Sequence, residues 1–199
     1  MSQSSRINDN PAESIKPAWV LPERIVPLIT ELEIKRRTAQ LARKISETRK
    51  SDRIIVVVIL KGSFMFAADL LRRLYDCHLT PQIDFIRAAS YGYSDISTGK
   101  VSLQLDVSLD LTGCDVLLVD DIADSGVTLS YLVKHLHRKG AAHVETCVLL
   151  DKPSNRATTF VPDFIGFEIP NQFVVGYGLD YGENYRNIPF IVALERPGV

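Results

Sequence analysis

Two hydrophobic periods alternate along the chain. From Ile29 to Lys50 the apolar residues Leu32, Ile34, Leu41, Ala42 and Ile45 recur at roughly helical spacing among charges, which predicts an amphipathic helix. Residues 53–60, RIIVVVIL, form a β-branched run too short for a buried helix and long enough for a strand covered on both faces. GSFMFAADLLRRL follows, with helix formers and a stripe at Phe64, Ala67, Ala68 and Leu71, and QIDFIRAA from Gln82 reads as a strand. Residues 90–99, SYGYSDISTG, are small, polar and turn-prone, so they predict a loop. VSLQLDV alternates as a half-buried strand should. DVLLV, a helix over 127–139 ending at Gly140, and HVETCVLL complete a strand, crossover helix, strand unit. This repetition predicts an α/β protein built on an open, mostly parallel sheet flanked by helices.

Composition narrows the picture without changing it. A chain of 199 residues fits one domain of ordinary size. The opening residues 1–22 are rich in Ser, Asn, Pro and Glu, which predicts a flexible tail ahead of a single domain over 23–199. With 23 basic and 24 acidic side chains the net charge is -1, so no overall field recruits nucleic acid or an anionic membrane, and any polyanion must meet a local site. Cys77, Cys114 and Cys147 are far apart, with no Cys-x-x-Cys and no Cys/His cluster at metal spacing. They read as small hydrophobes of a reducing compartment. With no signal-like apolar segment and no window approaching 18 apolar residues, the expected location is the cytoplasm.

The candidate chemistry lies in residues 116–128, VLLVDDIADSGVT. VLLV reads as a central strand and DDIADSGVT as the turn from its carboxyl end into the next helix. In open parallel sheets ligands bind outside the carboxyl ends of strands, so Asp120, Asp121 and Asp124 stand at the binding edge. Ser125 and Gly126 allow a tight turn and the close approach of a phosphate, and Thr128 adds a hydroxyl to the free N–H groups of the helix start. Adjacent carboxylates cannot sensibly contact a bare phosphate, but they accept hydrogen bonds from a vicinal diol or hold a divalent cation with its waters. A sugar phosphate satisfies both halves. Three carboxylates within five residues also repel one another unless a ligand or cation offsets them.

This pattern of apolar strand, two acids, two residues and Asp-Ser-Gly-x-Thr resembles the 5-phosphoribosyl 1-pyrophosphate (PRPP) loop of type I phosphoribosyltransferases. LKGS at 60–63, SYG at 90–92, Lys152 after VLL, PDFIGFEIPNQFVVGYGLDY at 162–181 and Arg186 narrow the resemblance to the hypoxanthine (hypoxanthine-guanine) phosphoribosyltransferase family, over roughly residues 25–195. The resemblance implies the type I fold with a small hood region. It also implies transfer from PRPP to hypoxanthine or guanine with release of pyrophosphate, Mg2+ as cofactor, and a homodimer or homotetramer.

Site residues follow from the same resemblance. Asp124, Ser125, Gly126, Val127 and Thr128 would cradle the 5-phosphate, while Asp120 and Asp121 would hold the ribose hydroxyls and share in the metal site. Asp124 would also lie near N7 of the base as general acid/base. Lys61 and Gly62 would bind pyrophosphate through backbone groups, after a non-proline cis bond, and Arg186 would clamp it with two hydrogen bonds. Asp180 would serve the metal, Phe173 would stack on the purine, and Lys152 would donate to its 6-oxo group. Backbone carbonyls near Val174 and Asp180 would read the 2-position, and Ser90 and Tyr91 would belong to a lid. Two departures stand out: Asp120 replaces a common Glu, and Val127 sits where some members carry a basic residue.

Pattern alone gives blander readings. Lys61 would be a solvated residue before a turn, Phe173 a core residue, Tyr91 an exposed aromatic and Arg186 a surface ion pair. His135 and His137, two apart on one helix, lie on different faces and do not make a metal pair. PRPP loops also occur in regulators that sense nucleotides and bind RNA. Such a protein should carry a basic patch, whereas the Lys and Arg residues here are scattered.

Overall fold

The computed structural model describes residues 25–48, 53–90 and 101–195. The expected tail and the tip of the expected lid, including Tyr91, lie outside them. Helix α1 spans Glu31–Thr48 and opens with a capping box: Thr30 N–H donates to Glu33 Oε2 at 2.8 Å and Glu33 N–H to Thr30 Oγ1 at 3.3 Å. Strand β1 is Ile54–Ile59, α2 Phe64–Asp76, β2 Gln82–Ser90 and β3 Val101–Leu105. Then come β4 (Asp115–Ala123), α3 (Val127–Arg138), β5 (His143–Asp151), a 3-10 turn at Pro153–Asn155 and β6 (Phe164–Glu168). Strands β7 (Val174–Val175) and β8 (Val192–Ala193) close the chain.

Six strands form one sheet in the order β3-β2-β1-β4-β5-β6, parallel throughout except for the antiparallel pair β2 and β3. The unbroken apolar runs follow from burial on both faces. Val56, Val58, Leu117 and Val119 point into a core under α1 and α2, while Ile55, Val57, Val116 and Leu118 point into a second core under α3. Each fully buried aliphatic side chain there contributes about 1.5–3 kcal/mol relative to exposure. β7 and β8 pair as a separate hood sheet, and Leu28 N–H and Ile191 N–H tie it to the segment before α1 at 2.8 and 3.0 Å.

One helical face differs from the sequence-based expectation. α2 buries Phe66, Ala67, Leu70 and Leu74, and Phe64 is 42% exposed. Leu32 of α1 is likewise exposed. The segment 64–74 carries apolar residues on more than one stripe, so packing against α1 and the sheet decides which face is buried. Cys114 and Cys147 are buried and Cys77 is half-buried, all as free thiols. His135 lies 2.9 Å from Asp106 while His137 faces the Ala141 carbonyl at 3.2 Å, so the two do not converge.

From β1 the chain winds toward β2 and β3, and from β4 it winds the other way toward β5 and β6. The boundary between β1 and β4 is therefore the topological switch point, where a crevice opens at the carboxyl ends of the strands. In the amino-terminal half of β2, Asp84 fastens the chain after β3: its carboxylate accepts from Phe85 N–H, Ser108 N–H and Leu109 N–H at 2.7–2.8 Å. Burial pushes its carboxyl up, but these bonds outweigh burial and hold it below the usual carboxylate range. A carboxyl depressed on folding stabilises above its unfolded pKa and loses that contribution as pH falls through the folded one. Replacing Asp84 by Ala is expected to cost roughly 2–3 kcal/mol at neutral pH, and denaturant titrations should show the gap narrowing below the carboxylate range.

Candidate active site

The turn after β4 builds the first half of the site. Gly126 has φ +80°, and a Cβ there would come within 2.6 Å of Thr158 Oγ1 and 2.9 Å of Arg156 Cδ. The backbone conformation and the crowding both call for glycine. Arg156 donates from Nη1 to the Asp124 carbonyl at 2.8 Å and from Nη2 to the buried Asp151 carboxylate, and Ala157 N–H reaches the Ser125 carbonyl at 2.9 Å. The loop after β5 thus buttresses the turn. A cavity of about 200 Å³ opens above it, lined by Asp120, Asp121, Asp124, Ser125, Gly126 and Thr128. Val127 contributes backbone, its N–H lying 3.4 Å from Ser125 Oγ.

Asp120 is buried, and Asp121 N–H donates to its Oδ1 at 3.0 Å. Burial, with the neighbouring Asp121 charge, pushes the Asp120 carboxyl well above the usual range, and burial also raises Asp121. Hydroxyl donors or a cation at these oxygens would relieve that penalty.

The second half lies at the carboxyl end of β1. The Leu60–Lys61 peptide bond is cis, as the resemblance implies. A Cβ at Gly62 would fall 1.6 Å from Asp121 Oδ2, and one at Gly178 (φ +104°) 2.0 Å from the Gly62 carbonyl, so only hydrogen atoms fit where β4, this turn and the hood meet. A cavity of about 270 Å³ opens here, lined by Lys61, Gly62, Arg87, Gln104, Asp121, Asp180, Glu183 and Arg186 among others. Arg186 is no exposed ion pair: it donates from Nη1 to the Gly178 carbonyl at 2.8 Å, and its Nη2 lies 2.9 Å from Asp180 Oδ1 and 3.2 Å from Glu183 Oε2. Lys61 Nζ meets Glu183 Oε1 at 2.9 Å. Tyr177 anchors the hood to α2 through its hydroxyl, which donates to Asp69 Oδ2 at 2.7 Å; burial and the Asp69 charge hold this phenol well above its ordinary pKa.

Beyond Asp124, Lys152 is 7% exposed; its N–H donates to the Ala123 carbonyl at 2.9 Å, and its Nζ lies 3.8 Å from Asp124 Oδ2. Asn155 Nδ2 donates to Asp124 Oδ1, and Asn171 Nδ2 approaches Asn155 Oδ1 at 3.5 Å. Phe173 meets Tyr181 edge-on, with ring centroids 5.6 Å apart.

The sequence-derived residues therefore fall into three places. Asp120, Asp121, Asp124, Ser125, Gly126 and Thr128 share the first cavity; Lys61, Gly62, Asp121, Asp180 and Arg186 share the second; Lys152 stands beside Asp124. Phe173 and Val174 line neither cavity, and Val174 is buried in the strand pair with Ala193. Ser90 ends β2. Sequence reasoning missed Arg87, Gln104, Asn155, Arg156 and Glu183. Arg87 was within reach of it, because it lies near the carboxyl end of a strand parallel to β1.

Comparison with known proteins agrees with this geometry. Residues 29–182 match the phosphoribosyl transferase domain family. The hypoxanthine-guanine phosphoribosyltransferase of Bacillus subtilis is 41% identical over 168 residues, covering 84% of this chain and 92% of that protein. The hypoxanthine phosphoribosyltransferase of Escherichia coli is 46% identical over 167 residues, covering 82% and 92%. A crystal structure of a hypoxanthine-guanine phosphoribosyltransferase from Bacillus anthracis superposes with a TM-score of 0.80 at 42% identity, covering 85% of this chain and 99% of the other. The switch-point crevice and the fold around it are those of a phosphoribosyltransferase of the type I fold. Within that class, the chain belongs to the hypoxanthine phosphoribosyltransferase family.

Proposed function

We propose that this chain is a purine-salvage transferase that moves the 5-phosphoribosyl group of PRPP onto hypoxanthine, and onto guanine, giving IMP or GMP and releasing pyrophosphate. One observation carries the reading: Asp121 is a wall common to the phosphate-loop cavity and the Lys61–Arg186 cavity. A ligand filling both would have a phosphate at one end, a second anionic group at the other and a diol between them. In this reading the N–H groups of 125–128 hold the 5-phosphate, Asp120 and Asp121 the ribose hydroxyls, and Lys61, Gly62 and Arg186 the diphosphate. Catalysis of a cationic, oxocarbenium-like transition state then rests on holding the three groups in line and excluding water. Asp124 exchanges a proton with the base, and Ser90 and Tyr91 belong to the covering lid. Phe173, Val174, Asp180 and Lys152 form the purine subsite. The relatives this chain matches are named as transferases, which lends no support to the regulatory, RNA-binding reading.

Magnesium is part of the proposal. Asp121 and Asp180 face the same cavity with hard oxygen donors, and among the described residues no group of three or more His, Cys, Asp or Glu side chains converges on a metal. That donor set suits an ion held by one or two carboxylates with water and substrate oxygens. Bound there with PRPP, Mg2+ would supply neutralisation of the diphosphate charge. Base transfer, followed by pyrophosphate release from PRPP, is expected to need PRPP and Mg2+ together; full activity in excess chelator would remove the metal from the mechanism. The cytoplasm and a homodimer or homotetramer complete the reading, on the strength of the resemblance.

A further inference from the structure

In the second cavity the two cations of the lining, Lys61 and Arg186, are already bridged by one carboxylate. Glu183 Oε1 lies 2.9 Å from Lys61 Nζ, and its Oε2 lies 3.2 Å from Arg186 Nη2. The bridge is built by the backbone as well as by charge. Glu183 sits at φ +67°, a conformation non-glycine residues rarely adopt, and its N–H donates to Asp180 Oδ2 at 2.8 Å. The side chain itself is 64% exposed, and among the described residues these two cations are the partners its carboxylate meets.

We propose that Glu183 is a resident stand-in for the leaving group, which occupies the Lys61–Arg186 anion site between turnovers and sets the affinity for PRPP and pyrophosphate by competing with them. The inference rests on the reading of this cavity as the diphosphate subsite. When the diphosphate arrives, Lys61 and Arg186 exchange one carboxylate for phosphate oxygens, and Glu183 swings into solvent. When transfer is complete, its return to the two cations lowers the cost of expelling pyrophosphate. The exchange does not reach Lys152 or Asp124, which line no part of this cavity, and what Asp180 would offer the purine is its backbone carbonyl.

The test compares wild type, Glu183→Gln and Glu183→Asp as full-length enzymes, by calorimetric titration with pyrophosphate and Mg2+ and by steady-state kinetics with PRPP and hypoxanthine. Gln keeps the shape and removes the charge. It should tighten pyrophosphate binding and lower KM for PRPP by roughly 3- to 20-fold, the scale of two exposed ion pairs. KM for hypoxanthine should stay within about twofold, and kcat should fall where pyrophosphate departure limits turnover. Asp keeps the charge on a shorter stem and should lie between. If wild type binds pyrophosphate and Glu183→Gln binds it equally or more weakly, the stand-in role is overturned. If wild type itself neither binds pyrophosphate nor transfers the base, the reading of the cavity falls, and this inference with it.

Discussion

Replacing Asp124 by Asn is expected to lower kcat for hypoxanthine by roughly 10² to 10⁴, the range for loss of a positioned general acid/base, while the fold survives. The substitution isolates proton chemistry because the surroundings of the residue are otherwise conserved. Arg156 grips the backbone carbonyl of residue 124, at 2.8 Å, and not its side chain. Asn155 donates to Asp124 Oδ1, and an amide oxygen at 124 would still accept that bond. What changes is the other end: Oδ2, 3.8 Å from Lys152 Nζ, becomes an NH2 group that can neither take a proton nor attract the ammonium. Thermal unfolding should therefore move little and KM for PRPP only modestly, with the loss concentrated in kcat. Normal turnover would reduce Asp124 to a residue that shapes the loop by bonding to its neighbours.

The parts of this site that depend on short-range order are readable in the sequence, and those that depend on long-range contact are not. The run Ile54–Ile59 and the sequence VLLVDDIADSGVT announce buried parallel strands and a tight glycine turn, because burial on both faces and a glycine-dependent turn each leave a local pattern. The steric need for Gly62 leaves none. It exists only because β4 sets Asp121 Oδ2 where a Cβ at residue 62 would be. Asn155 and Arg156 look like ordinary polar residues after a strand, yet they reach 31 and 32 positions back to Asp124. Glu183 bridges 122 positions to Lys61. α2 shows the same limit within one element, since its sequence carries two usable apolar stripes and tertiary packing selects the one through Phe66, Leu70 and Leu74.

Base choice should be the sharpest property of this site, and Lys152 is the reason. It is a cation at 7% exposure, and its ammonium lies 3.8 Å from Asp124, beyond a direct hydrogen bond. An ammonium has three donors and no acceptor, so a base that meets Lys152 must offer it an oxygen. In the purine subsite proposed above, the 6-oxo group of hypoxanthine or guanine supplies one, and adenine offers a 6-amino group that can only donate. A site built to bond one polar group commonly discriminates by roughly 10⁴ or more against an analogue that leaves it unpaired. At the 2-position, backbone carbonyls near Val174 and Asp180 would accept from guanine's amine and tolerate hypoxanthine's hydrogen. They would repel xanthine's second oxygen, with a bridging water able to soften that penalty. The measurement is kcat/KM for the four bases under saturating PRPP and Mg2+. Hypoxanthine and guanine should lead, xanthine should trail, and adenine should fall lowest by about four orders of magnitude. Comparable values for adenine and hypoxanthine would overturn the role given to Lys152, whereas efficient use of xanthine would overturn only the account of the 2-position.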